Sequence, residues 1–382
     1  MLTIIKNAQI LTPDGWIPLG AISFADGRIT SIQESINHDS SANVIDAKEA
    51  FIVPGFIDMH VHGGGGRDFL EGSDEAFRAI AQTHLLHGTT AIYPTLAVAP
   101  FEIFQRAILT TERLMNEPHS TIMGLHLEGP YLNPTMAGGQ EPQYICLPEK
   151  DTYHHMLENT SCIKRWDAAP EVDGALEFGR FTSSRGLVVS VAHTTADYNT
   201  LKEAHKAGYT HATHFYNAMT GVHKKREFKH EGTIEGIYLI DDMSVELVAD
   251  GIHVPAAILQ LVYKIKGVER TALVTDAMHY AAAENLKVDN SRIIIEDGVC
   301  KLADRSALAG SIATMDHLVR TMVSKASIPL CDAVRMASET PARIMGIYDR
   351  KGSLEVGKDA DMVMLDRDLN VVGVWSMGKR AK

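Results

Sequence analysis

The stretch FIVPGFIDMHVHGGGGR, residues Phe51–Arg67, decides which fold the chain is predicted to adopt. Two short apolar runs meet at Pro54 and Gly55, and the second run leads to His60 and His62 before four consecutive glycines. Side chains two apart on a strand point to the same face, so the two imidazoles are presented together. Paired imidazoles suit a zinc-like or iron-like cation, and glycines let a ligand approach the backbone closely. The alternative is a strand with two surface histidines before a flexible loop.

The regions on either side of this stretch differ in their predicted secondary structure. Residues 1–50 contain short strands and turns without helical periodicity, and the C-terminal segment again shows a pattern typical of β-strands. In the middle, helical segments separate eight apolar runs, which predict the strands Phe56–His62, Thr89–Thr95, Thr121–Glu128, Ile163–Ala169, Leu187–His193, His211–Phe215, Ser244–Ala249 and Thr271–Asp276. Strands that alternate with helices in this way predict an α/β fold, a (β/α)8 TIM-like barrel, over residues 53–351. Residues 1–52 and 352–382 predict a small β-sandwich domain formed from both termini.

Composition excludes several classes of protein. The 382 residues carry a formal net charge of −12, which argues against a nucleic-acid partner. The four cysteines are far apart and form no CxxC pair, so neither a disulfide framework nor a cysteine zinc site is expected. No apolar run approaches the length of a membrane span, and no signal peptide is evident. We therefore expect a soluble cytoplasmic protein without a membrane partner.

Metal-ligand residue types recur where the predicted strands end. Catalytic side chains of such barrels lie at the C-terminal ends of the strands. The residues found there are His60, His62, Glu128, His193, His214, His253 and Asp276. A single histidine at a strand end is more often structural, but ligand types at six of eight ends predict a metal site. The pattern therefore predicts a metal-dependent hydrolase.

The residue types suggest how one or two divalent cations would be held. Glu128, His193 and His214 supply oxygen and nitrogen ligands for one cation. His60 and His62, with Glu128 as a bridge, would hold a second. Zinc is the expected metal, with iron, manganese and cobalt as alternatives, because these ligand types do not select one of them.

Two further residues complete the predicted chemistry. Asp276 is placed to accept a proton from water and to pass it to the leaving amine. His253 would orient the scissile carbonyl as a hydrogen-bond donor. The alternative for Asp276 is a structural cap at the start of the next helix.

Six motifs together resemble one known family. In chain order they are PGFIDMHVHG, LHLEGPYLN, VAHTTA, THFYNAM, VADGIHV and LVTDA. They are similar to motifs of the N-acetylglucosamine-6-phosphate deacetylases, members of the amidohydrolase superfamily. The HLEGP and THxYNAM patterns are specific to that family, whereas HxH is shared across the superfamily. The resemblance implies release of acetate from an amino-sugar phosphate in amino-sugar catabolism. It also implies that the metal ligands and the acid/base residue are those named above.

The resemblance also implies a substrate site and a homodimer. Asn217 and Ala218 match a loop whose backbone meets the sugar phosphate, and His253 matches a substrate contact. Arg226 matches a phosphate-binding arginine that can reach across a dimer interface, although here it lies in a longer basic segment, Lys224–Gly232. Gln140 stands where some members have a histidine that contacts the sugar.

The sequence leaves one alternative function open and argues against two others. The galactosamine isomer is open, because sugar stereochemistry depends on loop shape. Ring-opening amidohydrolases commonly use a carboxylated lysine as a bridge, and no lysine stands at that position here. A non-catalytic scaffold would be expected to lose ligands, and none is missing.

Overall fold

The eight predicted strands form a barrel. The structure is a computed structural model that describes residues 2–36, 41–283, 288 and 291–382. Barrel strands 1 to 8 are Phe56–Val61, Thr89–Leu96, Leu125–Glu128, Ile163–Ala168, Val188–Val191, Tyr209–Ala212, Ser244–Leu247 and Thr271–Leu273. Neighbouring strands pair in parallel and in chain order. A parallel bridge between Val61 and Ala277 joins the first strand to the segment after the last. The predicted (β/α)8 barrel is thereby confirmed.

Helices surround the barrel strands. The α-helices are Asp74–Leu85, Phe101–Met115, Lys150–Glu158, Ala175–Ser184, Tyr198–Lys206, Thr233–Tyr238, Ala256–Lys266, Met315–Ser324, Leu330–Ala337 and Glu339–Ile344. Short 3-10 helices span Phe69–Glu71, Pro134–Met136, Pro142–Tyr144 and Val268–Arg270. Side-chain caps fix where some of them begin: Ser73 accepts a hydrogen bond from the N–H of Ala76, and Asp197 accepts one from Thr200. The bounds therefore follow local sequence signals as well as packing.

Strands from both ends of the chain form a second sheet. Its members are Thr3–Thr12, Gly15–Ala25, Arg28–Gln33, Asn43–Asp46, Phe51–Pro54, Met362–Leu365, Val371–Ser376 and Lys379–Arg380. A separate apolar core that includes Ile10, Phe24 and Trp375 packs against it. A β domain built from both termini is therefore present. Its limits at residues 1–52 and 352–382 stay a prediction.

Gly55 is the point where the chain passes from this sheet into the barrel. Its N–H donates to the carbonyl of Asp361 at 3.0 Å, so it is still tied to the sheet. The next N–H, of Phe56, donates to Gly88 beside barrel strand 2. A Cβ at position 55 would overlap the side chain of Thr90, so only glycine fits this crossing.

The four glycines that follow His62 close the barrel. The N–H groups of His62 and Gly63 both donate to Ala277, at 2.9 and 2.8 Å, and Gly66 donates to His279 at 2.8 Å. A Cβ at Gly63 would lie only 2.8 Å from the backbone of His279. At Gly63 it is therefore the chain itself that makes the close approach, whereas a Cβ at Gly66 would meet nothing within 4 Å. The interpretation of the four glycines as room for a ligand stays a prediction.

Candidate active site

The first cluster of ligand atoms forms around one carboxylate oxygen. His193 and His214 each place Nε2 3.0 Å from Oε1 of Glu128, and the two Nε2 atoms are 3.1 Å apart. All three side chains are buried. Glu128 ends barrel strand 3, whereas the histidines follow strands 5 and 6. The barrel thus brings together residues that are far apart in the chain, and they form a group able to hold a metal ion.

A second cluster shares the other oxygen of the same carboxylate. Oε2 of Glu128 is 3.2 Å from Nε2 of His62 and 3.7 Å from Nε2 of His60. The two imidazole nitrogens are 3.2 Å apart. Oδ1 of Asp276 lies 3.2 Å from His62 and 3.5 Å from His60. Glu128 therefore lies between the two clusters, and Asp276 lies at their edge. That Glu128 bridges two metal ions stays a prediction.

The outer ring nitrogens determine what these clusters can bind. Nδ1 of His193 is 2.7 Å from the carbonyl of Met136, and Nδ1 of His214 is 3.1 Å from that of Asn217. A carbonyl only accepts, so each Nδ1 carries the proton and, in a neutral ring, each Nε2 presents a lone pair. These lone pairs and the Glu128 oxygen converge on one point and repel one another unless a positive charge lies between them. The donor set therefore fits a divalent cation.

The electrostatics of the buried groups agree with this fit. Burial disfavours a charge on His62, but hydrogen bonds to Asp276 and Glu128 outweigh burial and raise the pKa of His62 to about 9. Burial likewise opposes the charge on His60, yet Glu246, Glu128 and Asp276 raise its pKa well above the usual value. The site therefore attracts positive charge, which divalent cations or protons on the imidazoles supply.

Three of the site residues have left-handed backbone conformations. The φ angles are 44° for His193, 28° for His214 and 47° for Asp276. Such angles are uncommon for residues with a side chain and cost of order 1–3 kcal/mol each. Tertiary hydrogen bonds hold them: the N–H of Asp276 donates to the carbonyl of His60 at 2.9 Å. Fixed turns immediately after the strands thus direct these side chains to the barrel mouth.

His253 is held by a neighbouring carboxylate. Its Nδ1 is 2.7 Å from Oδ2 of Asp250, and its Nε2 is buried without a hydrogen-bond partner among the described residues. Because Nδ1–H donates to Asp250, a neutral ring presents only a lone pair at Nε2. The predicted role of His253 as a donor to a carbonyl therefore requires the protonated ring.

Gln140 is engaged at both ends of its amide. Its Nε2 donates to Oε2 of Glu128 at 2.6 Å, and its Oε1 accepts from the N–H of Val98 at 2.8 Å. It is buried and also lines the cavity. Gln140 was predicted to contact the sugar, and the structure shows in addition that it orients the bridging carboxylate.

The predicted phosphate-binding residues lie in two different places. Asn217 and Ala218 line the cavity. The N–H of Asn217 donates to His214 at 2.8 Å, whereas in the described part of the chain no acceptor faces the N–H of Ala218. The strands His223–Lys225 and Phe228–His230 form an exposed hairpin with Arg226 in its turn. Arg226 does not line the cavity of its own chain.

A cavity of about 400 Å³ covers both clusters. This is the size of a small-molecule site. Sequence reasoning missed part of its wall, formed by Asp68, Met278, Ile293 and residues 306–310. Ile293 begins a hairpin, Ile293–Glu296 with Val299–Leu302. Asp68 is a carboxylate that caps the 3-10 helix Phe69–Glu71, and the other wall residues carry no metal-ligand signal, so only the folded chain reveals them.

Comparison with known proteins agrees with this geometry. The model of the amidohydrolase family matches residues 51–381. The chain belongs to the amidohydrolase family, and its buried donors suit the divalent metal that this family implies. Among the described residues, no helix has both the length and the apolar character needed to cross a bilayer.

Individual relatives share nearly the whole chain. It is 30% identical over 378 residues to the N-acetylglucosamine-6-phosphate deacetylase of Bacillus subtilis (strain 168), which covers 97% of this chain and 94% of the relative. It is also 30% identical over 389 residues to the N-acetylgalactosamine-6-phosphate deacetylase of Escherichia coli O157:H7, covering 100% of both. The crystal structure of N-acetylglucosamine-6-phosphate deacetylase from Pasteurella multocida superimposes with a TM-score of 0.93 at 27% identity, covering 100% of this chain and 99% of the other. The corresponding enzyme structure from Mycobacterium smegmatis gives 0.90 at 30% identity with the same coverage.

Replacing the two histidines of the second cluster tests whether two cations bind. We expect the double variant His60→Asn, His62→Asn to hold about one metal ion per chain and to keep residual activity, because Glu128, His193 and His214 remain. Metal content after dialysis, measured by elemental analysis, checks this. Unchanged metal content would mean that these histidines are not ligands.

Proposed function

We propose that this chain hydrolyses the N-acetyl group of N-acetyl-D-glucosamine 6-phosphate, giving D-glucosamine 6-phosphate and acetate in amino-sugar catabolism. The observation that carries the proposal is the convergence of two His–carboxylate clusters and Asp276 in one cavity at the barrel mouth. The names of the relatives from Bacillus subtilis and Pasteurella multocida support this substrate.

The proposed reaction replaces the amide C–N bond with a C–O bond. When bound, a divalent cation acts as a Lewis acid, which polarises the carbonyl and makes water a better nucleophile at neutral pH. Asp276 takes one proton from the attacking water at a carboxylate oxygen and gives it to the leaving nitrogen. Burial and the positive charge on His60 and His62 act oppositely on Asp276, and the charge prevails and lowers its pKa. A divalent cation held by the same histidines would act in the same direction, so Asp276 begins as a carboxylate.

The cavity walls would orient the substrate. His253 lines the cavity with its buried Nε2 and is fixed by Asp250, which suits the protonated ring to hold the carbonyl oxygen or a sugar hydroxyl. The N–H of Ala218 is available for a phosphate oxygen. No lysine lines the cavity within the described residues, which disfavours the ring-opening amidohydrolases that bridge metals with a modified lysine.

The phosphate clamp leads us to propose a homodimer. Arg226 stands in an exposed hairpin turn and does not line the cavity of its own chain, so it would serve a phosphate only across an interface. Arginine suits bidentate phosphate recognition, and Lys225 and His230 would add charge. The mass in solution, measured by light scattering, tests this, and a monomer that retains full activity would contradict it.

Zinc is the metal that we propose first, because imidazole nitrogen and carboxylate oxygen form its usual ligand set. Iron, manganese and cobalt fit the same donors. We propose that the protein works in the cytoplasm, in keeping with its four unpaired thiols. A metal-replete preparation that contained only trace metal would instead favour a non-catalytic scaffold.

Comparison of the two isomeric sugar phosphates tests the proposed substrate. We expect kcat/KM for N-acetylglucosamine 6-phosphate to exceed that for N-acetylgalactosamine 6-phosphate. The galactosamine isomer is the second candidate, because the relative from Escherichia coli O157:H7 that carries that name is equally similar. Acetate release measured side by side on one preparation decides between them, and the reverse order would assign the isomer.

A further inference from the structure

Glu246 connects the two ligand clusters from below. It lies in barrel strand 7 and is completely buried. Its Oε1 accepts a hydrogen bond from Nδ1 of His60 at 2.7 Å and another from the backbone N–H of His214 at 3.0 Å. One oxygen atom therefore holds a residue of each cluster.

The two contacts fix different properties of the ligands. A carboxylate only accepts, so the proton of a neutral His60 stays on Nδ1 and Nε2 keeps its lone pair for the cluster. His214 has a φ of 28°, where a backbone N–H held by a rigid acceptor stabilises an unfavourable conformation. Glu246 thus sets the tautomer of one ligand and the backbone position of another.

A buried arginine balances the charge of this carboxylate. Arg165 is fully buried, forms an ion pair with Oε2 of Glu246, and donates from Nη2 to Oε1 at 3.1 Å. Its Nε donates to Oδ1 of Asp167 at 3.0 Å. His211 also contacts Glu246, with its Nε2 3.3 Å from Oε2. These contacts hold the carboxylate in place inside the barrel, where an unpaired charge would be costly.

We propose that Glu246 is a positioning residue that couples the two metal positions through His60 and the backbone of His214. This inference rests on the proposed metal-dependent function and extends it to a residue that touches neither substrate nor metal. Carboxylates that orient a metal-binding histidine typically affect metal affinity by about 10–100-fold. Loss of the carboxylate should therefore weaken the position at His60 most.

The test compares metal binding by Glu246→Gln and the unaltered protein. Each is stripped with a chelator and titrated with Zn²⁺ against a competing indicator, which resolves two dissociation constants. We expect the dissociation constant of the weaker position, the one at His60, to rise about 10–100-fold. The tighter constant should change less, because a glutamine oxygen still accepts from the neutral backbone N–H of His214, whereas the ring of His60 loses the negative charge that raises its basicity as a ligand.

Asp167→Asn provides the matched control. Asp167 is equally buried and pairs with the same Arg165, but its Oδ2 lies 2.9 Å from Nε2 of His126 and accepts a hydrogen bond from Thr213, and neither of these residues belongs to a cluster. If Glu246 has only a structural role, both variants lose thermal stability and neither variant changes the two dissociation constants for Zn²⁺. That result, or equal loss of affinity in both variants, would overturn the proposal.

Two further outcomes remain distinguishable. If Glu246→Gln does not fold, Glu246→Asp keeps the charge but withdraws the oxygens by one methylene, and the same selective loss is expected. Unaltered weak-site affinity in Glu246→Asp would then overturn the proposal. If the unaltered protein binds no Zn²⁺ at all, the proposed metal-dependent function fails as well. Two cations bound equally well by both proteins would contradict only the role of Glu246.

Discussion

Asp276→Asn is expected to fold and to bind metal, but to lose turnover by about 10²–10⁴-fold, the usual contribution of a general acid/base. The amide cannot accept the proton that the carboxylate takes from water, whereas its oxygen can still approach His62. The N–H of residue 276 keeps its bond to the carbonyl of His60, so the left-handed turn is preserved. Initial rates of acetate release, with metal content measured on the same sample, check the prediction.

Asp297→Asn is a suitable control for this experiment. Asp297 also has a left-handed φ, 54°, and therefore tests what the same chemical change does to such a backbone. It lies in an exposed turn outside the cavity and pairs with Lys301. Near-normal turnover is expected for this variant. If Asp276→Asn were as active as the control, Asp276 would not be the acid/base residue.

Glu128→Gln is expected to remove metal from both positions. The two oxygens of Glu128 face different clusters, so the loss of one negative charge weakens both at once. Metal content should fall well below one ion per chain. Turnover should fall by about 10³-fold or more, because the bound metal contributes several kcal/mol to the reaction.

The contrast with the second-cluster histidines makes this prediction specific. The double variant at His60 and His62 is expected to retain about one ion, whereas the single change at Glu128 retains less. Glu177→Gln provides the matched control, since Glu177 is exposed on a helix and pairs with Lys150. A Glu128→Gln protein with one tightly held ion would show that the carboxylate does not bridge the two positions.

The residues that form the two clusters were predictable because they occupy one kind of position in a regular fold. Each strand of the barrel is short, so the residues that follow it lie at the same rim. His193 and His214 could be assigned to that rim without knowing any distance. The predicted strands agree with the structure except at their ends: strand 3 begins at Leu125 rather than Thr121, and strand 6 at Tyr209 rather than His211.

The interior charges could not be predicted in the same way. A strand that is buried on both faces shows no clear alternation, so nothing marked Arg165 or Glu246 as pointing inward. Two helices, Lys150–Glu158 and Thr233–Tyr238, also lack a clear helical signal in the sequence, because one is mostly polar and the other is short. No signal in the segment Lys224–Gly232 indicated the hairpin around Arg226, since its turn lacks the usual Asn-Gly pair.

The strand Phe51–Pro54 has a consequence for the order of folding during synthesis. It lies between Thr3–Thr12 and Met362–Leu365 in one sheet, and Ile52 pairs with Met364 from the other end of the chain. The sheet therefore stays incomplete until residues 362–380 have left the ribosome, while the barrel strands are already available to pair. Contacts between such distant positions form slowly. A ribosome-bound chain truncated before Met362 should accordingly expose one edge of Phe51–Pro54, beside a barrel whose eight strands have all been made.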